Sequence, residues 1–203
     1  MSEFLQIIVE QASRFQVWEL IAVLLAIAYL ILAVRENITC WYAAFISTCI
    51  FLVIFWQVNL LMESALQVYY LLMAIYGWYQ WRQPSSSQHY LPISTWSFSM
   101  HLVIVAAVLI ATGISGLLLE NTSARLPWLD SFTTWGSIVT TWMVARKILE
   151  NWVYWLVIDS VSIYLYLDRE LYFTAILFAA YIIIIFFGLH RWIKVYRSQL
   201  MKI

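Results

Sequence analysis

The fold class predicted by the sequence is an all-α membrane protein of seven transmembrane helices, and three observations predict it. The 203-residue chain is 64% hydrophobic and only 11% charged, against about 45–50% and about 25% in a soluble domain. So little charge cannot cover a water-facing surface. Its 12 Trp and 13 Tyr are residues that collect where a bilayer meets water. Apolar runs recur at 17–34, 38–56, 60–81, 98–119, 128–145, 151–167 and 171–190, each near the roughly 20 residues that cross a hydrocarbon core of about 30 Å. In lipid, backbone N–H and C=O groups find no water, so these runs must be helices where nothing reads as a closed barrel.

The first run follows a segment carrying Glu3 and Glu10, which does not fit a cleavable signal peptide, so this span is expected to be retained. Residues 35–37 turn the chain into the second run. Its Cys40 and Cys49 form no CxxC and no metal spacing and are expected to be buried free thiols. Residues 57–59 lead into the third run. A polar loop at 82–96, with Pro84, Ser85, Ser86, Ser87 and Pro92, then separates two halves. The fourth run is apolar throughout, whereas the fifth and sixth are diluted by polar residues. A turn at 168–170 leads into the seventh.

Basic residues set the expected orientation. Arg14, Arg125 and Arg169 fall on the N-terminal side. Arg35, Arg82, Arg146, Lys147, Arg191, Lys194, Arg197 and Lys202 fall on the other. The positive-inside rule puts the richer side, with the C-terminus, in the cytoplasm and the N-terminus outside. Seven spans satisfy that arrangement.

Sliding the chain against itself by 111 residues, without a gap, aligns Arg35 with Arg146, Trp41 with Trp152 and Leu60 with Leu171. The same offset aligns Leu66 with Leu177, Tyr70 with Tyr181, Gly77 with Gly188, Trp81 with Trp192, and the acids Glu19 and Asp130. Leucines match cheaply in an apolar chain; arginine, glycine and aromatic residues do not. Spans 1–3 thus correspond to spans 5–7, and span 4 reverses the chain so that both triplets run the same way. The expected organisation is one membrane domain over 1–203, with a first three-helix repeat at 17–81, a linking helix at 98–119 and a second repeat at 128–192. Such a 3+1+3 parallel repeat is a transporter architecture with its site near midplane between the halves.

Polar residues at membrane depth are functional candidates, because a charge at a span's centre costs about 2.5–3.5 kcal/mol on insertion scales. Asp159 lies near the middle of span 6, sharing a helical face with Asn151 and Trp155, and Trp152 lies beside them. On span 3, Glu63, Gln67 and Tyr70 form a stripe. Span 2 offers Trp41 and Thr48, and the repeat places Thr48 in the position equivalent to Asp159. Together these nine residues suggest a pocket with aromatic walls, amide groups and a carboxylate, suited to a flat cationic aromatic ligand held by stacking, cation–π attraction and an ion pair. Six of them have a plainer alternative: a structural hydrogen bond for Asp159, an interfacial position for Glu63, Gln67 and Trp41, packing for Trp152 and Trp155. Glu19 and Asp130 read as stabilisers of helix N-termini. Arg35, Arg146 and Lys147 read as membrane-face anchors, and Tyr76, Trp78 and Trp81 as the inner aromatic belt.

The string 66–70 (Leu-Gln-Val-Tyr-Tyr) leading into 75–81 (Ile-Tyr-Gly-Trp-Tyr-Gln-Trp), and Arg146–Lys147 followed by Glu150, Asn151, Trp152 and Trp155, resemble the Pnu family of bacterial vitamin transporters. The likeness runs from Trp18 to Trp192. It implies a SWEET-like 3+1+3 helix arrangement and facilitated diffusion across the bacterial inner membrane. It also implies contact of the vitamin with Gln67, Trp155 and the position of Asp159. One branch of the family carries nicotinamide riboside and another thiamine. Riboside carriers often have Asn where this chain has Asp159, and Asn where it has Ala74. Those departures favour thiamine here, with nicotinamide riboside as the alternative.

The expected function is therefore uptake of a cationic aromatic vitamin, without a cofactor or metal, from within the lipid bilayer. A cytoplasmic vitamin kinase is implied as a functional partner, and self-association into a homo-oligomer is left open. Formal net charge of zero and the lack of a basic arm argue against nucleic acid. The absence of GxxxxGK[ST] argues against direct use of ATP. A proton-coupled carrier, an intramembrane enzyme using Glu63 or Asp159, and a membrane receptor or scaffold are the rival readings.

Overall fold

The computed structural model describes residues 17–57, 61–82, 91–121, 126–168 and 172–201. They form seven helices: α1 Val17–Val34, α2 Cys40–Gln57, α3 Leu61–Arg82, α4 Phe98–Leu119, α5 Pro127–Ala145, α6 Asn151–Asp168 and α7 Tyr172–Leu200. The expected turns around 58–60 and 169–171, the polar stretch 83–90, the N-terminal segment 1–16, Arg125 and Lys202 lie outside the described residues. Helix ends agree with the apolar runs to within two residues, except at α7. That helix continues ten residues past its apolar run, because Trp192, Val195 and Tyr196 keep packing on the core while Arg191, Lys194 and Arg197 occupy its other face.

Packing order defines the architecture. α1 packs on α2, α2 on α3, α3 on α5, α5 on α6, α6 on α7, and α7 back on α1. Six helices thus close a ring, while α4 lies outside it and packs mainly on α5. Large apolar side chains such as Leu24, Leu72, Val157 and Phe187 are exposed on the ring's outside. On α4, Val103, Ile110 and Leu118 are more than half exposed. In water such surfaces would aggregate; in lipid they are solvated. α4 docks where Gly116 admits the ring of Trp128 and Trp135 Nε1 donates to Ser115 Oγ at 2.9 Å. Its other end is held to α6 by His101, whose Nδ1 lies 2.9 Å from the Tyr154 hydroxyl and whose Nε2 lies 3.7 Å from Glu150.

The 111-residue offset reappears as geometry. α1 ends in a Schellman turn in which Glu36 N donates to Ala33 O at 3.0 Å and Asn37 N to Leu32 O at 3.0 Å. α5 ends identically: Lys147 N donates to Val144 O at 3.0 Å and Ile148 N to Met143 O at 2.9 Å. The left-handed residues that such a turn requires are Glu36 and Lys147, with φ of 54° and 51°. Side chains repeat as well. The Trp41 ring fills the notch at Gly77, and the Trp152 ring the notch at Gly188. Trp41 meets Trp81 edge-on at 5.4 Å and 84°, and Trp152 meets Trp192 at 5.4 Å and 87°. Each third helix is then tied to the first helix of the other triplet, as Trp81 Nε1 donates to Ala145 O at 3.1 Å and Trp192 Nε1 to Ala33 O at 3.2 Å.

Two expectations are corrected by this arrangement. Lys147 is not a free membrane-face anchor: it is 5% exposed and bonded to Glu36 at 3.0 Å, because its turn faces the opposite triplet. Trp81 is not a belt residue but a buried member of the tryptophan cluster. Trp78 does stay near the surface, under the Arg82 guanidinium at 4.8 Å.

A further tie joins the two triplets where Tyr69 on α3 donates to the Ile138 carbonyl of the neighbouring α5 at 2.7 Å. Tyr69→Phe should cost about 1 kcal/mol, seen as a lower thermal midpoint in detergent; an unchanged midpoint would leave that bond without a stabilising role.

Candidate functional site

The glycine–tryptophan contacts fix the relative heights of neighbouring helices, and with them the level at which polar side chains meet. Trp41 touches Gly77 and Trp152 touches Gly188. Seven residues away on each helix, in the same spatial direction because the partners are antiparallel, the register puts Thr48 level with Tyr70 and Asp159 level with Tyr181. At about 1.5 Å per residue this level is about 10 Å above the tryptophans, near the middle of α2 and α6.

Asp159 is 4% exposed. Among the described residues it has no hydrogen-bond partner, so the structural bond to a neighbouring Tyr or Ser is not found. Its electrostatic neighbour is Tyr181 on α7. Thr48 on α2 and Gln67 on α3 are buried and likewise make no hydrogen bond among the described residues. Tyr70 lies 5.8 Å from Tyr69, ring to ring, and within electrostatic reach of Tyr29 on α1. Trp155 is half-buried and packs on the edge of the core. Thr48, Gln67, Tyr70, Trp155 and Asp159 thus lie within about two turns of one level on α2, α3 and α6, and no hydrogen bond or ring contact joins them to one another among the described residues.

Trp41, Asn151 and Trp152 form a lower layer, close to the turns at 35–39 and 146–150. The two tryptophans are 2% and 1% exposed and have an evident packing role against the glycines. Polar atoms nevertheless remain unpaired there: Trp41 Nε1, Trp152 Nε1 and Asn151 Oδ1 have no described partner, while Asn151 Nδ2 donates to Ile148 O at 2.6 Å. Buried polar atoms are ordinarily satisfied, so a polar ligand or water is the natural complement. The Glu63 side chain lies outside the described residues. Tyr29 and Tyr181 were not among the expected site residues. Tyr181 was findable, since it is the repeat mate of Tyr70; Tyr29 carries no such mark, its mate being Thr140.

The chemistry of these residues is that of recognition rather than reaction. Asp159 is the one formal charge at the midplane level among the described site residues, and the ring beside it is that of Tyr181. A buried carboxylate without a counter-charge is costly, and a cationic ring between aromatic faces would supply one. No group of three or more His, Cys, Asp or Glu among the described residues could hold a metal ion. Cys40 is buried, Cys49 half-buried, and both are free thiols.

A family model described as nicotinamide mononucleotide transporter matches residues 16–194. The nicotinamide riboside transporter PnuC of Escherichia coli (strain K12) is 28% identical over 197 residues, covering 83% of this chain and 81% of that protein. The riboflavin/roseoflavin transporter RibM of Streptomyces davaonensis is 25% identical over 183 residues, covering 87% and 84%. Among solved structures, the crystal structure of the vitamin B3 transporter PnuC superposes with a TM-score of 0.73 at 19% identity, over 97% of this chain and 91% of that one. That likeness establishes the seven-helix fold.

Proposed function

We propose, from the premise that this chain belongs to the nicotinamide mononucleotide transporter family, that it carries nicotinamide riboside across the membrane. Membership makes it a multi-pass membrane vitamin transporter and not an enzyme. The observation that carries the substrate is Asp159: a midplane carboxylate without a described hydrogen-bond partner calls for a cation, and the riboside's pyridinium ring is flat, aromatic and cationic. Thr48, Gln67, Tyr70 and Trp155 supply the walls and the groups for ribose hydroxyls, and Asn151 offers its unpaired oxygen from below.

Relatives support this order of substrates. Their names include nicotinamide riboside and riboflavin, whereas thiamine, favoured on the sequence, finds no support among them. Riboflavin is the second reading, favoured by the RibM likeness; its isoalloxazine is neutral and would leave Asp159 without a counter-charge. Transport runs by facilitated diffusion through rocking of the 17–81 triplet against the 128–192 triplet. A cytoplasmic kinase that phosphorylates the riboside keeps the gradient inward. The eight basic residues on the C-terminal side orient that side to the cytoplasm.

Calorimetric titration of the purified protein with nicotinamide riboside, riboflavin and thiamine tests the substrate. Riboside should bind tightest; tighter binding of either other vitamin replaces the reading with that one. Trp155→Ala should weaken riboside binding by about 1–2 kcal/mol through lost stacking and cation–π attraction. Unchanged affinity in a folded Trp155→Ala variant makes this ring a packing residue.

A further inference from the structure

Residues related by an approximate two-fold axis can touch their own mates only on that axis. Glu36 and Lys147 are mates at the 111-residue offset, and Lys147 Nζ lies 3.0 Å from Glu36 Oε2. Trp81 and Trp192 are also mates, and their rings lie 6.5 Å apart. Both pairs therefore stand on the line down the middle of the six-helix ring, stacked one on the other, with Lys147 Nζ 4.7 Å from the Trp81 ring centroid. A cavity of about 250 Å³ lined by Glu36, Ile38, Trp81, Arg82 and Lys147 opens against this pair. In a transporter built from two repeats, the path lies along that same line.

We propose that Glu36 and Lys147 close the transport path at its arginine-rich end, over the Trp81–Trp192 pair, and must separate for the vitamin to pass. The proposal rests on the transporter reading and not on which vitamin is carried. Two mates of like charge would repel on the axis; the sequence instead gives one triplet an acid and the other a base, so the two turns attract. Each charge is borne by the left-handed residue of its Schellman turn, which points both side chains from matched backbones toward the axis.

The two sides of the closure are not equivalent. Ser94 N donates to Lys147 O at 3.1 Å, and Leu149 N donates to Ser94 O at 2.8 Å. Trp96 N donates to Glu150 Oε2 at 3.4 Å. The segment 91–97 is thus strapped along the turn that carries Lys147. Among the described residues, the turn that carries Glu36 has no such strap, and its local bonds stay within it: Asn37 Oδ1 accepts from Thr39 N at 2.9 Å and from Thr39 Oγ1 at 2.7 Å. Lys147 is the fixed member, and the Glu36 turn is the one that withdraws.

A native reporter stands beside the closure. Cys40 is fully buried, four residues from Glu36 and within electrostatic reach of Lys147. With Cys49→Ser it is the only thiol of the chain, which has two cysteines. A membrane-impermeant maleimide is applied to vesicles of either sidedness. Cys40 should react slowly from both faces in the otherwise unaltered protein. Glu36→Gln and Lys147→Gln should each raise the rate at least tenfold, from the face bearing the C-terminus alone. The double exchange Glu36→Lys with Lys147→Glu should return it to slow, because the two-fold relation places Lys at 36 over Trp192 as Lys147 now lies over Trp81. Unchanged labelling in both single variants overturns the proposal. So does equal acceleration from both faces, which signals loosened structure, or a doubly exchanged protein that labels as fast as the single ones. Labelling reads accessibility and titration reads the vitamin, so failure of this closure and failure of the substrate reading are separate results.

Discussion

Asp159→Asn should weaken binding of nicotinamide riboside by about tenfold to a hundredfold and at the same time raise the thermal midpoint of the ligand-free protein. The two effects have opposite signs for one reason. Without ligand, the carboxylate is buried at 4% exposure with no described hydrogen-bond partner, a cost that the neutral amide of nearly equal shape reduces. On the proposed reading the bound carboxylate would face a pyridinium, and contacts to charged groups contribute about 1.5–3 kcal/mol, which spans the stated range in affinity. The reduced riboside, whose dihydropyridine ring is uncharged, separates charge from shape: its affinity should be the same in both proteins. If the ligand-free midpoint falls in Asp159→Asn and riboside affinity holds, Asp159 is a structural residue and the substrate argument fails with it.

Gly77→Ala should cost about 3 kcal/mol or more and leave little folded protein in detergent, whereas Gly113→Ala should be nearly silent. A Cβ at position 77 would lie 2.3 Å from Cζ2 of Trp41. That ring cannot yield, being 2% exposed and wedged edge-on against Trp81 at 5.4 Å. Overpacking of a filled core typically costs about 1–3 kcal/mol, and more where nothing moves. Nothing stands within 4 Å of a Cβ at Gly113, where a helix former replaces glycine on a lipid-exposed helix. Trp41→Leu in the Gly77→Ala background should restore part of the loss, since the two sites share one contact. Equal midpoints for the two alanine variants would mean that the Gly77 notch does not set the packing of α2 on α3.

Those same glycines explain why the fold was legible in the sequence. Helices announce themselves by length and apolarity, and the repeat by pairs that leucine-rich chance does not produce. Gly77 with Gly188 and Trp41 with Trp152 match at 111 residues because each glycine admits its tryptophan in the same way. The candidate site was legible only as far as depth and burial: Asp159 and Gln67 are polar residues within spans, and both are buried. What stayed hidden depends on partners far apart in the chain. Lys147 next to Arg146 at a span's end reads as an anchor until Glu36, 111 residues earlier, is found bonded to it. Trp81 reads as interfacial until its indole is found on Ala145 O. No local signal gives the closing contacts of the ring, α3 with α5 and α7 with α1. Nor does the apolar run of α7 foretell its extension, which is set by tertiary packing of Trp192 and Tyr196.

Proteoliposome uptake of labelled nicotinamide riboside tests the central claim most directly, with unlabelled riboside, riboflavin and thiamine as competitors and with an imposed pH gradient or none. Carriage by facilitated diffusion predicts saturable uptake that ends at equal concentrations inside and out, is competed most strongly by the unlabelled riboside, and is indifferent to the pH gradient. Uptake that exceeds the outside concentration only when the pH gradient is present would make the protein a proton-coupled carrier. Absence of saturable riboside uptake by folded, reconstituted protein would contradict the claim.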